Sequence, residues 1–357
     1  MTRIDKLYTI LDAENIDGFF ISSVPNITYL TGFTGDSSRL LVSRSRCILI
    51  TDGRYTEQAA NECYLGVEVF KWIDNKRYAI DTYAHLVREC EVKKLAFEGD
   101  ILTFNEFEVL KNGLVNVELV SLSGITEGIR QVKDSGEIAN LRRACAITDK
   151  ALADTLPFIK TGVSEIEIAA RLEYNMRMKG AEGLSFETIV LSGPKTSLLH
   201  GHPGERKLEK GDWLLFDYGA LYKGYHADSS RAFIIGEADA QQKELYSVVQ
   251  QAQTAAVKVL KPGIAGKVAD DEVRKHIPSK YLELYYPGLG HGVGLEIHEQ
   301  PFLGQTCTTV LQENMVVTIE PGIYLPGQGG LRIEDTVLIT AQGAEVLTQF
   351  PRELQIL

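Results

Sequence analysis

Two kinds of hydrophobic pattern alternate in the first third of the chain. Residues 5–15 space their apolar side chains as an amphipathic helix does, and 18–22 (GFFIS) form a short apolar run of strand length. Residues 40–51 read as strand, broken by the turn-like SRSR. Helical patterns follow at 57–63 and 78–90, and 94–97 reads as a short buried strand. This predicts a smaller α/β domain over residues 1–125. The pattern then changes. Asp134, Ser135 and Gly136 open a long amphipathic stretch through Ile138, Leu141, Ala144, Ile147 and Leu152. A second domain, 126–357, is expected to hold helices at 136–155, 164–178, 241–260 and 266–277, with antiparallel strands between and after them. The fold class is α+β.

Composition narrows the function. The chain has 357 residues, too many for one ordinary core, and is 44% hydrophobic and 24% charged. Its net charge of −11 argues against nucleic acid or an anionic membrane as partner. No apolar run reaches the roughly 18 residues of a membrane span. The first 20 residues are charged throughout and have no secretory apolar core, so a cytoplasmic location is expected. The five cysteines are scattered, without metal-site spacing, and read as reduced packing residues.

Candidate chemistry lies in two hairpins. Residues 212–235 place Asp217 in one β-rich run and Asp228 in the next. A turn centred between Tyr222 and Lys223 puts the two aspartates directly opposite, on one face. Near the C-terminus, Glu320 and Glu334 flank Pro326-Gly327-Gln328-Gly329, and a loop centred on Gly327 sets them across from each other. Facing acids destabilise a sheet unless a cation lies between them. Asp335 points to the other face. Four carboxylates with one imidazole make a hard, oxygen-rich site that suits two divalent ions, Mn²⁺ first, with Co²⁺ or Zn²⁺ as alternatives. The imidazole comes from GHGVGLEIHEQP, residues 290–301, where glycines surround His291 and His298 follows seven residues later. So many glycines disfavour a helix and fit an extended or looped segment with close backbone approach.

The ordered set of Asp217 in FDYGA, Asp228 in GYHADSSRAF, His291 in GHGVG, Glu320 in TIEPGIY and Glu334 in RIED resembles the ligand set of the pita-bread metallopeptidases: methionine aminopeptidases, aminopeptidase P and prolidase. NITYLTGFTGDSS and ITDGRYTEQA resemble the N-terminal domain of bacterial Xaa-Pro peptidases, particularly short aminopeptidase P-like ones. The resemblance covers nearly the whole chain. It implies a pita-bread catalytic domain behind a creatinase/prolidase-type domain, and a homodimer. The implied reaction is hydrolysis of the bond between an N-terminal residue and proline, through a hydroxide bridging two metals. Asp228 and Glu334 would bridge both ions, Asp217 would chelate one, and His291 with Glu320 would complete the other. Glu320 would be the general base. His298 would contact the scissile carbonyl or its oxyanion, and Pro301 would end the segment. His200 would flank the substrate from the opposite side, although Leu199 stands where the family often has proline. Arg332 would be an outer-shell or substrate-carboxylate partner. His202 reads as a surface loop residue and His226 as a candidate to line the pocket.

Three rival readings stand beside this one. A dipeptidase restricted to Xaa-Pro uses the same chemistry. A non-catalytic binding protein on the same fold is disfavoured by the complete ligand set. A structural calcium site is disfavoured by the histidine and by the wide spread of the acids.

Overall fold

Capping side chains mark where helices begin. In the computed structural model, which describes residues 2–72 and 79–357, the first compact unit runs to Arg130 and the second from Gln131 to Leu357. The first unit contains α1 (Arg3–Ala13), β1 (Gly18–Ile21), α2 (Val24–Thr31), β2 (Ser38–Ser43), β3 (Cys47–Thr51), α3 (Thr56–Glu62), β4 (Val67–Lys71), α4 (Ile80–Glu89), β5 (Lys94–Glu98), α5 (Phe104–Gly113), β6 (Glu118–Leu122) and α6 (Ile125–Arg130). Thr2 and Asp5 exchange side-chain and backbone bonds at the start of α1, and Thr103 with Glu106 repeats this capping box at α5. The strands form a mixed sheet in the order β4-β3-β2-β1-β5-β6. The SRSR stretch separates β2 from β3, as its turn chemistry suggests.

Two helices here have no legible helical period. α2 reads VPNITYLT, rich in β-branched and aromatic residues that favour strands. Its ends decide instead. Ser23 caps the first turn, Pro25 sits within it, and Gly32 closes the helix at φ 82°. α5 likewise rests on its capping box. The helical pattern expected from residue 78 begins at Ile80; Tyr78 itself lies outside the described residues. The units divide after Arg130 rather than near 125, because α6 packs on α1 and α2.

The second unit contains α7 (Ser135–Thr155), α8 (Glu165–Met178), β7 (Gly183–Leu184), β8 (Ile189–Ser192), β9 (Trp213–Tyr218), β10 (Ala220–Tyr222), β11 (Tyr225–His226), β12 (Ser229–Ile234), α9 (Ala240–Val259), α10 (Lys267–His276), β13 (Gly288–Gly292), β14 (Glu299–Gly304), β15 (Val316–Ile319), β16 (Gly322–Leu325), β17 (Gly329–Arg332), β18 (Asp335–Thr340) and β19 (Gly343–Val346). Capping boxes open α7 (Asp134, Glu137), α8 (Ser164, Glu167) and α9 (Asp239, Gln242). The strands form small antiparallel sheets, the widest in the order β14-β13-β15-β18-β19. Val249, Ala252 and Ala256 of α9 belong to one buried apolar cluster with Val317, Ile319, Val337 and Ile339 of this sheet. That core holds β15 and β18 from behind. Among the described residues no helix is long and apolar enough to cross a membrane.

Candidate metal centre

The first acid-bearing hairpin turns one residue later than its sequence suggests. Lys223 and Gly224 are its two central residues, both at positive φ (48° and 76°), the conformation that suits a tight hairpin. Asp217 therefore stands opposite Ser230, not Asp228. Both aspartates still line one cavity. The second hairpin has the expected register. Gly327 sits at φ 73° in its loop, Ile323 pairs with Leu331, and Ile319 pairs with Asp335 below, which sets Glu320 across from Glu334.

His291 enters from β13. The glycine before it is a packing requirement, since a Cβ on Gly290 would lie 2.1 Å from the Thr318 carbonyl oxygen. The His291 Nδ1–H donates to the Gly292 carbonyl (3.0 Å), which leaves Nε2 with a free lone pair. That atom is 3.5 Å from Asp228 Oδ2 and 3.4 Å from Glu320 Oε1. His298 follows on the loop 293–298, its ring edge-on to His291 with centroids 4.4 Å apart. Pro301 does not end the segment. It lies within β14, at the edge of its sheet, where a missing N–H is tolerated.

Donor atoms of Asp228, His291 and Glu334 all lie within 4.8 Å of one another. Glu320 and Asp217 border this trio on the same cavity. Burial raises the Asp228 and Glu334 carboxyls well above their ordinary values, and mutual repulsion among the acids adds to it. Burial likewise lifts Glu320 to about 7 and lowers His291 to about 4. Among the described residues, Asp228 Oδ1 and Glu334 Oε1 are buried without any hydrogen-bond partner. Unpaired carboxylate oxygens at such depth are costly, and a divalent cation is the ordinary remedy. The residues present fit divalent metal.

Two regions of the chain match known families. Residues 139–341 match metallopeptidase family M24, and residues 3–132 match the creatinase/prolidase N-terminal domain. The chain belongs to metallopeptidase family M24. An Xaa-Pro dipeptidase from Pyrococcus horikoshii is 38% identical over 99% of this chain and 98% of that protein. In three dimensions an Xaa-Pro dipeptidase from Bacillus anthracis aligns with a TM-score of 0.96, at 41% identity over 99% of each chain. An X-Pro aminopeptidase from Thermotoga maritima MSB8 aligns with a TM-score of 0.92, at 38% identity over all of both chains. The second unit is thus an M24 pita-bread domain, preceded by a creatinase-type domain.

The M24 cavity measures about 440 Å³. His298 and His200 both line it, each exposed, His200 on the loop before Gly201. His202 was expected to be a plain surface residue. It is exposed, but it lines the same cavity and lies 3.4 Å from Glu187. His226 is absent from the lining residues, because Ser185 holds its Nδ1 through both the hydroxyl (3.0 Å) and the carbonyl (2.9 Å). Arg332 is buried, and its donors are engaged by Asp217, by Ser230 Oγ (2.7 Å) and by Tyr324 Oη (2.8 Å).

Three further residues shape the M24 site without any signal in the sequence pattern. The Ser230 hydroxyl sits between Asp217 Oδ1 (3.1 Å) and Glu334 Oε2 (2.7 Å). The Thr318 hydroxyl donates to Glu320 Oε1 (3.2 Å) and accepts from the His291 amide (3.0 Å). Tyr324 receives Arg332. Only alternation along their strands hints at Ser230 and Thr318, which share a face with Asp228 and Glu320 respectively.

Proposed function

We propose that this M24 peptidase cleaves the bond between an N-terminal residue and proline, with two divalent ions held by Asp217, Asp228, His291, Glu320 and Glu334. The observation that carries this reading is the pair of buried, unpartnered oxygens on Asp228 and Glu334 beside a histidine with its Nε2 free. The Xaa-Pro relatives support the choice of substrate. When bound, the ions would polarise water and the scissile carbonyl. Asp228 and Glu334 would hold both ions, Asp217 one, and His291 with Glu320 the other.

The chain's own groups supply the rest. Glu320 borders the cavity with 23% of its side chain exposed, and Thr318 orients it. We assign it the transfer of a proton from water to the proline nitrogen, which leaves only when protonated. Burial lowers the His298 pKa, which keeps the imidazole neutral and able to donate to the carbonyl oxygen. His200 flanks the substrate from the other side. Arg332 acts by fixing Asp217, since each of its three nitrogens already donates a hydrogen bond. Hard oxygen donors with one imidazole favour Mn²⁺, with Co²⁺ and Zn²⁺ as alternatives. A cytoplasmic enzyme fits the unpaired cysteines. The family resemblance supports a homodimer, which sedimentation would test.

The aminopeptidase and the dipeptidase readings differ in what meets the substrate beyond proline. A dipeptide presents a carboxylate there. Among the described residues lining the cavity, Arg332 is the one guanidinium or ammonium, and each of its nitrogens already donates to Asp217, Ser230 or Tyr324. Phe186, Tyr286 and Phe302 form much of the remaining wall. This favours a longer peptide and hence an Xaa-Pro aminopeptidase. The Bacillus anthracis and Pyrococcus horikoshii relatives favour the dipeptidase. Chelator-stripped protein with and without Mn²⁺, assayed on an Xaa-Pro dipeptide and an Xaa-Pro-Yaa tripeptide, separates them. Metal-dependent cleavage with a preference for the tripeptide is expected. A preference for the dipeptide would make it a prolidase, and no cleavage of either would overturn the reading.

A further inference from the structure

His298 raises a positioning problem. Among the described residues its ring has no hydrogen-bond partner, and its neighbour His291 touches it only edge to face. An imidazole that must meet a substrate oxygen within a few tenths of an ångström needs its orientation fixed. Here the backbone has to supply it. His298 ends the loop 293–298 and immediately precedes β14.

That loop is closed from inside by a buried ion pair. Glu299 Oε1 accepts from the Glu296 amide (3.2 Å), and Glu299 Oε2 lies 3.1 Å from Lys133 Nζ. The two side chains are 6% and 1% exposed, so the pair is sheltered from solvent screening. Gly294 makes the room, since a Cβ there would lie 2.7 Å from a Glu299 oxygen. Lys133 is itself anchored. Its amide donates to the Asn314 carbonyl (2.9 Å), and Val132 bridges to Met315 at the entry to β15. The carboxylate thus ties the His298 loop to the strand that leads into Glu320.

We infer that Glu299 and Lys133 are positioning residues for His298, holding its loop so that the ring meets the substrate carbonyl. The inference rests on the reading of His298 as the group that contacts that carbonyl. Glu299 is not among the residues that line the cavity and would act through the loop.

A double-mutant cycle on an Xaa-Pro-Yaa substrate, with the Mn²⁺-loaded full chain, tests it. His298→Ala is expected to lower kcat by about a hundredfold, the usual cost of losing one oxyanion donor. Glu299→Ala is expected to lower kcat to a similar degree with KM little changed. The double variant should be no slower than His298→Ala alone, because a positioning carboxylate acts only through the ring it positions. Glu299→Gln keeps an acceptor for the Glu296 amide and should recover most of kcat. Losses that multiply in the double variant would overturn the positioning role while leaving His298 in place. Full activity in Glu299→Ala would do the same. Full activity in His298→Ala would overturn the reading of His298 and the inference with it. If Glu299→Ala does not fold, Glu299→Leu combined with Lys133→Met, which removes the acceptor and leaves no unpaired buried charge, is read against His298→Ala in the same cycle.

Discussion

Glu334 and Asp335 are adjacent, both buried, and opposite in character. Asp335 is saturated: Oδ1 receives Arg231 (2.7 Å) and the Thr348 hydroxyl (2.8 Å), and Oδ2 receives Gln253 (2.7 Å) with Arg352 at 3.5 Å. Glu334, one residue earlier and on the other face, has Ser230 on one oxygen and nothing on the other. The flanking pair Ser230 and Arg231 divides in the same way, Ser230 toward the cavity acids and Arg231 toward Asp335. Two strands from different sheets, β12 and β18, thus keep their structural charge on one side and their unspent charge on the other. Strand alternation alone does the sorting. The lesson is that burial does not by itself mark a functional acid. Unsatisfied buried oxygens gathered around one histidine do.

Substitutions at the two positions should diverge in kind. Replacing Glu334 with Ala should abolish metal binding and lower activity by about a thousandfold or more, as several kcal/mol of metal-assisted stabilisation disappears. The metal-free variant should melt no lower than the metal-free parent, since a repelling charge is gone. Metal titration and melting curves check both points, and retained turnover would sink the site. Asp335→Ala should do the reverse. Leaving Arg231 buried and short of its carboxylate should cost about 3–5 kcal/mol of stability, while the folded fraction keeps its kcat, as denaturant melts and active-site titration would show.

A pH series sharpens the contrast. In metal-free protein, burial and repulsion raise Asp228 and Glu334, and burial raises Glu320 to about 7. Unfolded, these groups titrate near their ordinary values of about 4. In between, the folded state holds protons that the unfolded chain has released. Below about 6.5 the lowered His291 makes the opposite contribution, because the unfolded chain then holds a proton that the folded one lacks, so the net fall in stability is expected as pH rises from about 6.5 to beyond 7. Calorimetry under chelator at about pH 6.5 and pH 8 should show the drop, and saturating Mn²⁺ should remove it. Equal melting at both values would mean that the acids do not repel. The smallest effect is expected from Thr318→Val, which removes the hydroxyl that orients Glu320. A kcat loss of about tenfold with metal still bound is expected, read from steady-state kinetics beside metal content.

Much of this was legible because of the same alternation. Moving the Asp217 hairpin turn by one residue moves each cross-strand partner by two, so the partner changed from Asp228 to Ser230 but the face did not. The Gly327 loop had a clearer centre, and its register held. What could not be read depends on distant partners. Nothing near residue 226 announces that Ser185 will take its imidazole, and nothing near 24–31 shows that buried surroundings will favour a helix there. Pro301 reads as a terminator until the sheet edge beside it is known. Lys133 and Glu299 look like ordinary surface charges in sequence, each polar and unremarkable in its stretch.

The scatter of the cluster also fixes when the site can exist. Asp217 emerges early in the second unit, His291 much later, and Glu334 only 23 residues before the C-terminal Leu357. Even the start of that unit, Val132 and Lys133, waits for Met315 and Glu299. Contacts this distant in sequence close late. A ribosome-bound chain that has not passed Glu334 lacks one acid of the buried cluster, so the cluster cannot assemble before that residue has emerged.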